Sequence, residues 1–208
     1  MKKTTFTVAI MLLLALGATA QIKVGTYTEW QKTIDELEIK ESYDFSNRKT
    51  VVILPVQTSD VELPKKSDDN YKLITKALAN MTQTIATEMQ NQLQKAGYKV
   101  IVAEDANFRD PESIVVQFNW TELDLGSRAL RVWVGYGAGN ARFATQGVIY
   151  DGDKEIATFS QRRISALDTQ KYEKLVAKGI NNVVGDVAKL IVKSTGRSPM
   201  ILPILMEV

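Results

Sequence analysis

Five side chains on or beside one glycine-rich stretch are suited to making contacts: Arg128, Arg131, Trp133, Tyr136 and Arg142. They lie along Gly126-Ser127-Arg128-Ala129-Leu130-Arg131 and Gly135-Tyr136-Gly137-Ala138-Gly139-Asn140-Ala141. Successive backbone N–H groups in such a turn can form a nest for an anion, with guanidinium groups supplying charge. A phosphate or a carboxylate is the ligand class that chemistry suits. Tryptophan and arginine are also enriched at binding hot spots. The plainer alternative is that the glycines permit a bend or close strand packing, with the arginines solvated or paired to nearby acids. A dinucleotide loop does not fit, because its glycines must be followed by a helix whose N-terminus meets the phosphates. Here the pattern predicts a strand instead.

Carboxylate pairs are a second route to chemistry, since two acids at suitable separation can hydrolyse glycosides. Glu122 with Asp124, and Asp151 with Asp153, are the candidates, although Asp in a turn is favoured for its backbone hydrogen bonds. Ser46-Asn47-Arg48-Lys49 matches the S-x-x-K of serine-lysine acyl enzymes, yet that chemistry needs both residues on a buried helical turn. Here Lys49 leads into a predicted strand. The chain contains no histidine and no cysteine, which removes Ser-His-Asp and Cys-His catalysis together with Cys/His zinc sites. No catalytic residue, metal or cofactor is expected.

Lys2 and Lys3 precede the apolar run Phe6 to Leu16 and the small-residue site Ala18-Thr19-Ala20. This is the pattern of a secretory signal peptide over 1–20, cleaved after Ala20. The run is short of the roughly 20 apolar residues that span a bilayer. Without a cysteine there is no acceptor for a thioether lipid anchor and no disulfide, so a soluble protein in the periplasm of a Gram-negative bacterium is expected. The 26 basic residues lose two with residues 1–20, leaving 24 against 24 acidic ones. A neutral chain gives no reason to expect a nucleic-acid partner.

The elements that must position these residues follow from periodicity. Thr28-Glu29-Trp30-Gln31 opens an expected short helix carrying Trp30, Ile34 and Leu37 on one face. Thr50 to Val56 reads as a buried strand, and 57–70 as a polar, disordered loop. Ile74, Leu78, Met81, Ile85, Met89, Leu93 and Ala96 mark one long helix ended at Gly97. Strands are expected over 98–103 and 113–120. A hairpin over 141–164 turns at Asp151-Gly152. A second long helix runs from Asp168 to a stop at Gly196 and Pro199, with Gly179 in its apolar stripe for close approach to the sheet. Met200 to Met206 is an apolar tail. The fold class is α+β: a mixed, largely antiparallel sheet of about five strands, with two long helices packed on one face. Residues 21–208 form a single domain, best defined over 50–194.

The Gly126–Ala141 pattern resembles an uncharacterised family of small exported bacterial envelope proteins, in which a GSRALR-like run precedes G-x-G-x-A and two strands. The element order is similar to small periplasmic α/β domains such as the N-terminal domain of TolB and part of CsgG. The resemblance implies a non-enzymatic binding or assembly module whose partner is another envelope protein or polymer. The alternatives are a carboxylate-dependent glycan hydrolase, or a carrier of a small anionic or apolar ligand.

Overall fold

The protein is described by a computed structural model covering residues 23–30, 32–43, 45, 47–66, 70–126, 139–165 and 172–194. The expected signal segment 1–20, the apolar tail 200–206, and Asp168, Gly196 and Pro199 lie outside the described residues.

The described part is α+β, with one mixed seven-stranded sheet and three helices. The strands are β1 (Gly25–Trp30), β2 (Ile34–Ile39), β3 (Thr50–Ile53), β4 (Lys99–Val102), β5 (Ser113–Asp124), β6 (Ala141–Asp151) and β7 (Lys154–Ser165). The helices are α1 (Tyr71–Ala79), α2 (Met81–Leu93) and α3 (Tyr172–Ser194). Strand order is β1-β2-β7-β6-β5-β3-β4, with β3 parallel to both neighbours and every other pairing antiparallel.

Patterning explains the two halves of this sheet. Val51, Val52 and Ile53 of β3 are all fully buried, as expected for a parallel strand covered on both faces. Val51 and Ile53 join the main core under the helices, whereas Val52 packs with Leu54, Ala103 and Val115 on the opposite face. Strand β5 changes character along its length. Ile114, Val115 and Val116 are buried on both faces, and beyond them Phe118 and Trp120 are buried while Gln117 and Asn119 are half-exposed. From there toward β1 the sheet has one face under the helices and one face open.

The expected helix at 28–37 is a hairpin of β1 and β2. The Trp30, Ile34 and Leu37 spacing imitates a helix, but it arises from a bulge. Trp30 pairs with Ile34 and Thr28 with Glu36, while Glu29 sits at φ 48 without a place in the register. Lys32, at φ 57, makes the turn. After the bulge Leu37 and Ile39 point into the core, and Glu36 and Glu38 point away. The two strands of this hairpin raise the strand count from the expected five to seven.

The expected single helix is two. Asn80 leaves helical geometry at φ −108, and its side-chain amide donates to the Lys76 carbonyl at 2.9 Å. Asparagine competes for backbone partners in this way. The apolar stripe nevertheless continues through Ile74, Met81, Ile85, Met89 and Leu93, all buried. Gly97, at φ 82, ends the following short 3-10 turn. Residues 57–66 are ordered rather than a loose loop: the Gln57 N–H donates to Phe118 O, the Trp120 N–H donates to Gln57 O, and Val61 is in the core.

Helix α3 lies across β6 and β7. A Cβ added at Gly179 would fall 2.3 Å from the Phe143 ring, so the missing side chain is what lets the helix approach the sheet. Gly147 does the same within the sheet. It sits in register between Phe118 and Phe159, whose rings meet edge to face across it at 5.6 Å.

Candidate functional site: the mouth of the β5–β6 connection and the open sheet face

Strands β5 and β6 deliver the glycine-rich stretch. Their ladder ends at Asp124 paired with Arg142, and the chain leaves at Gly126 and returns at Gly139. Both glycines have left-handed backbones, at φ 67 and φ 78. A Cβ at Gly126 would lie 2.0 Å from the Gly139 carbonyl oxygen. Glycine for close approach therefore holds at Gly126, and Gly139 supplies a left-handed backbone. The Asp124 carboxylate accepts the Gly126 N–H at 2.7 Å and fixes the exit. Arg128, Arg131, Trp133 and Tyr136 lie outside the described residues. Arg142 is within them, exposed on the open face at the foot of this connection. Trp120 is fully buried and belongs to the core.

Of the candidate carboxylates, Glu122 and Asp151 are engaged by arginines and Asp124 by the Gly126 N–H. Glu122 follows a bulge in β5 and accepts from Arg162 Nε at 3.0 Å and Nη2 at 3.3 Å, with Arg142 Nη1 3.9 Å away. Asp151 pairs with Arg48 through Nε at 2.8 Å and Nη2 at 2.6 Å. Asp153 is exposed in the two-residue turn of the β6–β7 hairpin. Ser46 lies outside the described residues, and Lys49 leads into β3 rather than a helix, its backbone carbonyl accepting the Lys99 N–H at 2.9 Å.

Below this end, the open face forms a groove of about 600 Å³. Two cross-strand rows build its floor. One runs Glu36, Ser160, Gln146, Asn119; the other runs Glu38, Thr158, Val148, Gln117. Each row crosses four strands, so it spans roughly 14 Å at about 4.8 Å per strand. Asp60 reaches over from the 57–66 segment to accept the Asn119 amide at 2.7 Å. Thr158 donates to Glu38 at 3.2 Å. A carrier of an apolar ligand would need a sizeable apolar pocket between helices and sheet, whereas this groove lies on the other face and has a mixed polar and apolar lining. Sequence reasoning missed these residues. The visible signals were the alternations Glu36/Glu38 and Gln117/Asn119.

On the helix side, a buried carboxylate ties α3 to β7. Asp186 accepts from Arg163 Nε at 2.7 Å, Gln161 Nε2 at 3.2 Å and Lys189 Nζ at 3.3 Å. Gln161 is itself fully buried and accepts the Asp35 N–H at 3.0 Å.

A family model, Domain of unknown function (DUF4410), matches residues 51–169, more than half of the chain. The chain belongs to this family. The matched region runs from β3 to beyond β7 and includes the glycine-rich stretch on which the sequence resemblance rested. No curated protein matches at a significant level. Among solved structures, the PelC dodecamer from Paraburkholderia phytofirmans is 13% identical at TM-score 0.42, over 72% of this chain and 96% of that one. The lipoprotein GNA1162 from Neisseria meningitidis is 15% identical at TM-score 0.35, over 68% and 99%. A minor lipoprotein from Acinetobacter baumannii is 14% identical at TM-score 0.35, over 71% and 92%. Likeness at this level carries nothing about function. Among the described residues no helix is long and apolar enough to cross a membrane.

Proposed function

We propose that the protein is an exported, non-enzymatic binding module of the bacterial cell envelope, one domain over 21–208, released to the periplasm after Ala20. Its partner is another envelope protein or an envelope polymer, met at the end of the sheet where the β5–β6 connection leaves. The observation that supports this reading is the close approach of Gly126 to Gly139, with Arg142 exposed beside it; in the sequence, Arg128, Arg131, Trp133 and Tyr136 fall between the two glycines. Arginine and aromatic residues so concentrated suit a contact surface. The engagement of Glu122, Asp124 and Asp151 by guanidinium groups or backbone favours binding over carboxylate hydrolysis.

The test is affinity capture from the native envelope with protein beginning at Gln21, in wild-type and Arg128→Ala/Arg131→Ala forms. A component retained by wild type and lost with the double variant is the expected result. Equal recovery by both, or none by folded wild type, would reject this surface.

A further inference from the structure

The groove on the open sheet face lies apart from the β5–β6 mouth and has the opposite chemistry. Its lining contains no lysine or arginine among the described residues, yet it carries Glu36 and Glu38 at its β2 side, and Asp60 holds the Asn119 amide at its β5 side. The neighbouring cations are already matched to other acids. Lys40 binds Glu155 at 2.5 Å beyond one end, and Arg162 binds Glu122 beyond the other. Glu36 makes no ion pair among the described residues, while Glu38 accepts the Thr158 hydroxyl and lies within the field of Lys40, whose pKa is raised first by its bond to Glu155 and further by the charge of Glu38. Between the two sides the floor carries the amides of Gln117, Asn119 and Gln146, which can both donate and accept. The Asn119 Oδ1 is buried without a partner.

We infer that this groove docks a basic, extended polypeptide segment of a partner protein. Its lysine or arginine side chains meet Glu36 and Glu38, and its main-chain amides meet the Gln117, Asn119 and Gln146 amides. Charge complementarity selects the occupant: an acidic or apolar segment would leave Glu36 and Glu38 facing like charge or dry surface. A floor of roughly 14 Å accommodates about four extended residues at about 3.3 Å each. Because the contacts are exposed ion pairs, binding weakens as salt rises.

The experiment titrates the exported protein, in its native processed form, with a nine-lysine peptide and with a nine-glutamate control. NMR follows the side-chain amides of Gln117, Asn119 and Gln146, and fluorescence anisotropy gives affinity for wild type, Glu36→Gln/Glu38→Gln and Glu173→Gln. Both replaced sites are exposed, and circular dichroism verifies folding. The expected result is that the lysine peptide shifts these amide signals. The groove variant should lose at least tenfold in affinity and the helix-surface variant less than twofold. The inference is overturned if both variants lose affinity equally, if the shifts fall elsewhere, or if neither peptide or the acidic one binds. It is also overturned if wild type self-associates through the groove and the double variant does not, which would assign the face to a second copy of this chain.

Discussion

Gly126 and Gly139 meet backbone to backbone at the mouth of the β5–β6 connection, so closely that a Cβ at 126 would stand 2.0 Å from the carbonyl oxygen at 139. No L side chain fits there without moving a strand end. Gly126→Ala is therefore expected to cost about 2–4 kcal/mol, combining left-handed strain with a backbone clash. Gly97→Ala is the control. Its φ of 82 imposes similar strain, but no atom lies within 4 Å of the added Cβ, so about 1 kcal/mol is expected. Urea unfolding of both variants measures the difference, and equal losses would mean that the glycine contact is not tight.

Two glycines of α3 should respond in opposite directions. Gly179→Ala drives a methyl into the buried Phe143 ring, which overpacking makes unfavourable by about 1–3 kcal/mol. Gly185 has only Gln92 near, at 3.8 Å, so Gly185→Ala gains helix propensity of up to about 1 kcal/mol. Phe143→Leu should relieve part of the Gly179→Ala penalty, and a double-mutant cycle reads that coupling.

Asp186 is expected to hold α3 on the sheet. Asp186→Ala leaves the buried Gln161 amide without its acceptor and releases Arg163, at a cost of about 2–4 kcal/mol. Asp186→Asn keeps an acceptor oxygen and should lose less. Thermal unfolding of the pair distinguishes a specific anchor from simple loss of charge.

One acid-limb prediction follows from Asp110. The Ser113 hydroxyl and the Glu112 N–H both donate to its carboxylate, holding its pKa below the ordinary 3.8. A depressed folded value means that this contribution is complete above the ordinary value and is lost as pH falls through the folded one. Asp110→Asn should therefore lower stability at neutral pH and flatten its fall below about pH 3.8. Denaturant midpoints taken from pH 2 to pH 7 would contradict this if the two proteins differed by a constant offset.

Much of the fold was legible where local pattern and tertiary role agree. The Asp-Gly hairpin at 151–152 and the close-approach glycine at 179 stand as read, and the strand read from Thr50 to Val56 is present but ends at Ile53. The β1–β2 hairpin was not, because its bulge at Glu29 gives apolar residues a helix-like spacing. Nor was the helix break at Asn80, since the apolar stripe runs through it unchanged. The groove was out of reach for a different reason. Glu38 meets Thr158 across 120 residues of sequence, and only the sheet order makes them neighbours.

The most direct test of the binding role is photocrosslinking in the living envelope from a photoreactive residue at Asn140, beside the glycine contact, with the same residue at the exposed Glu173 of α3 as control. The account predicts a defined adduct from position 140 and none from 173. Adducts from 173 alone, or from neither position, would contradict it.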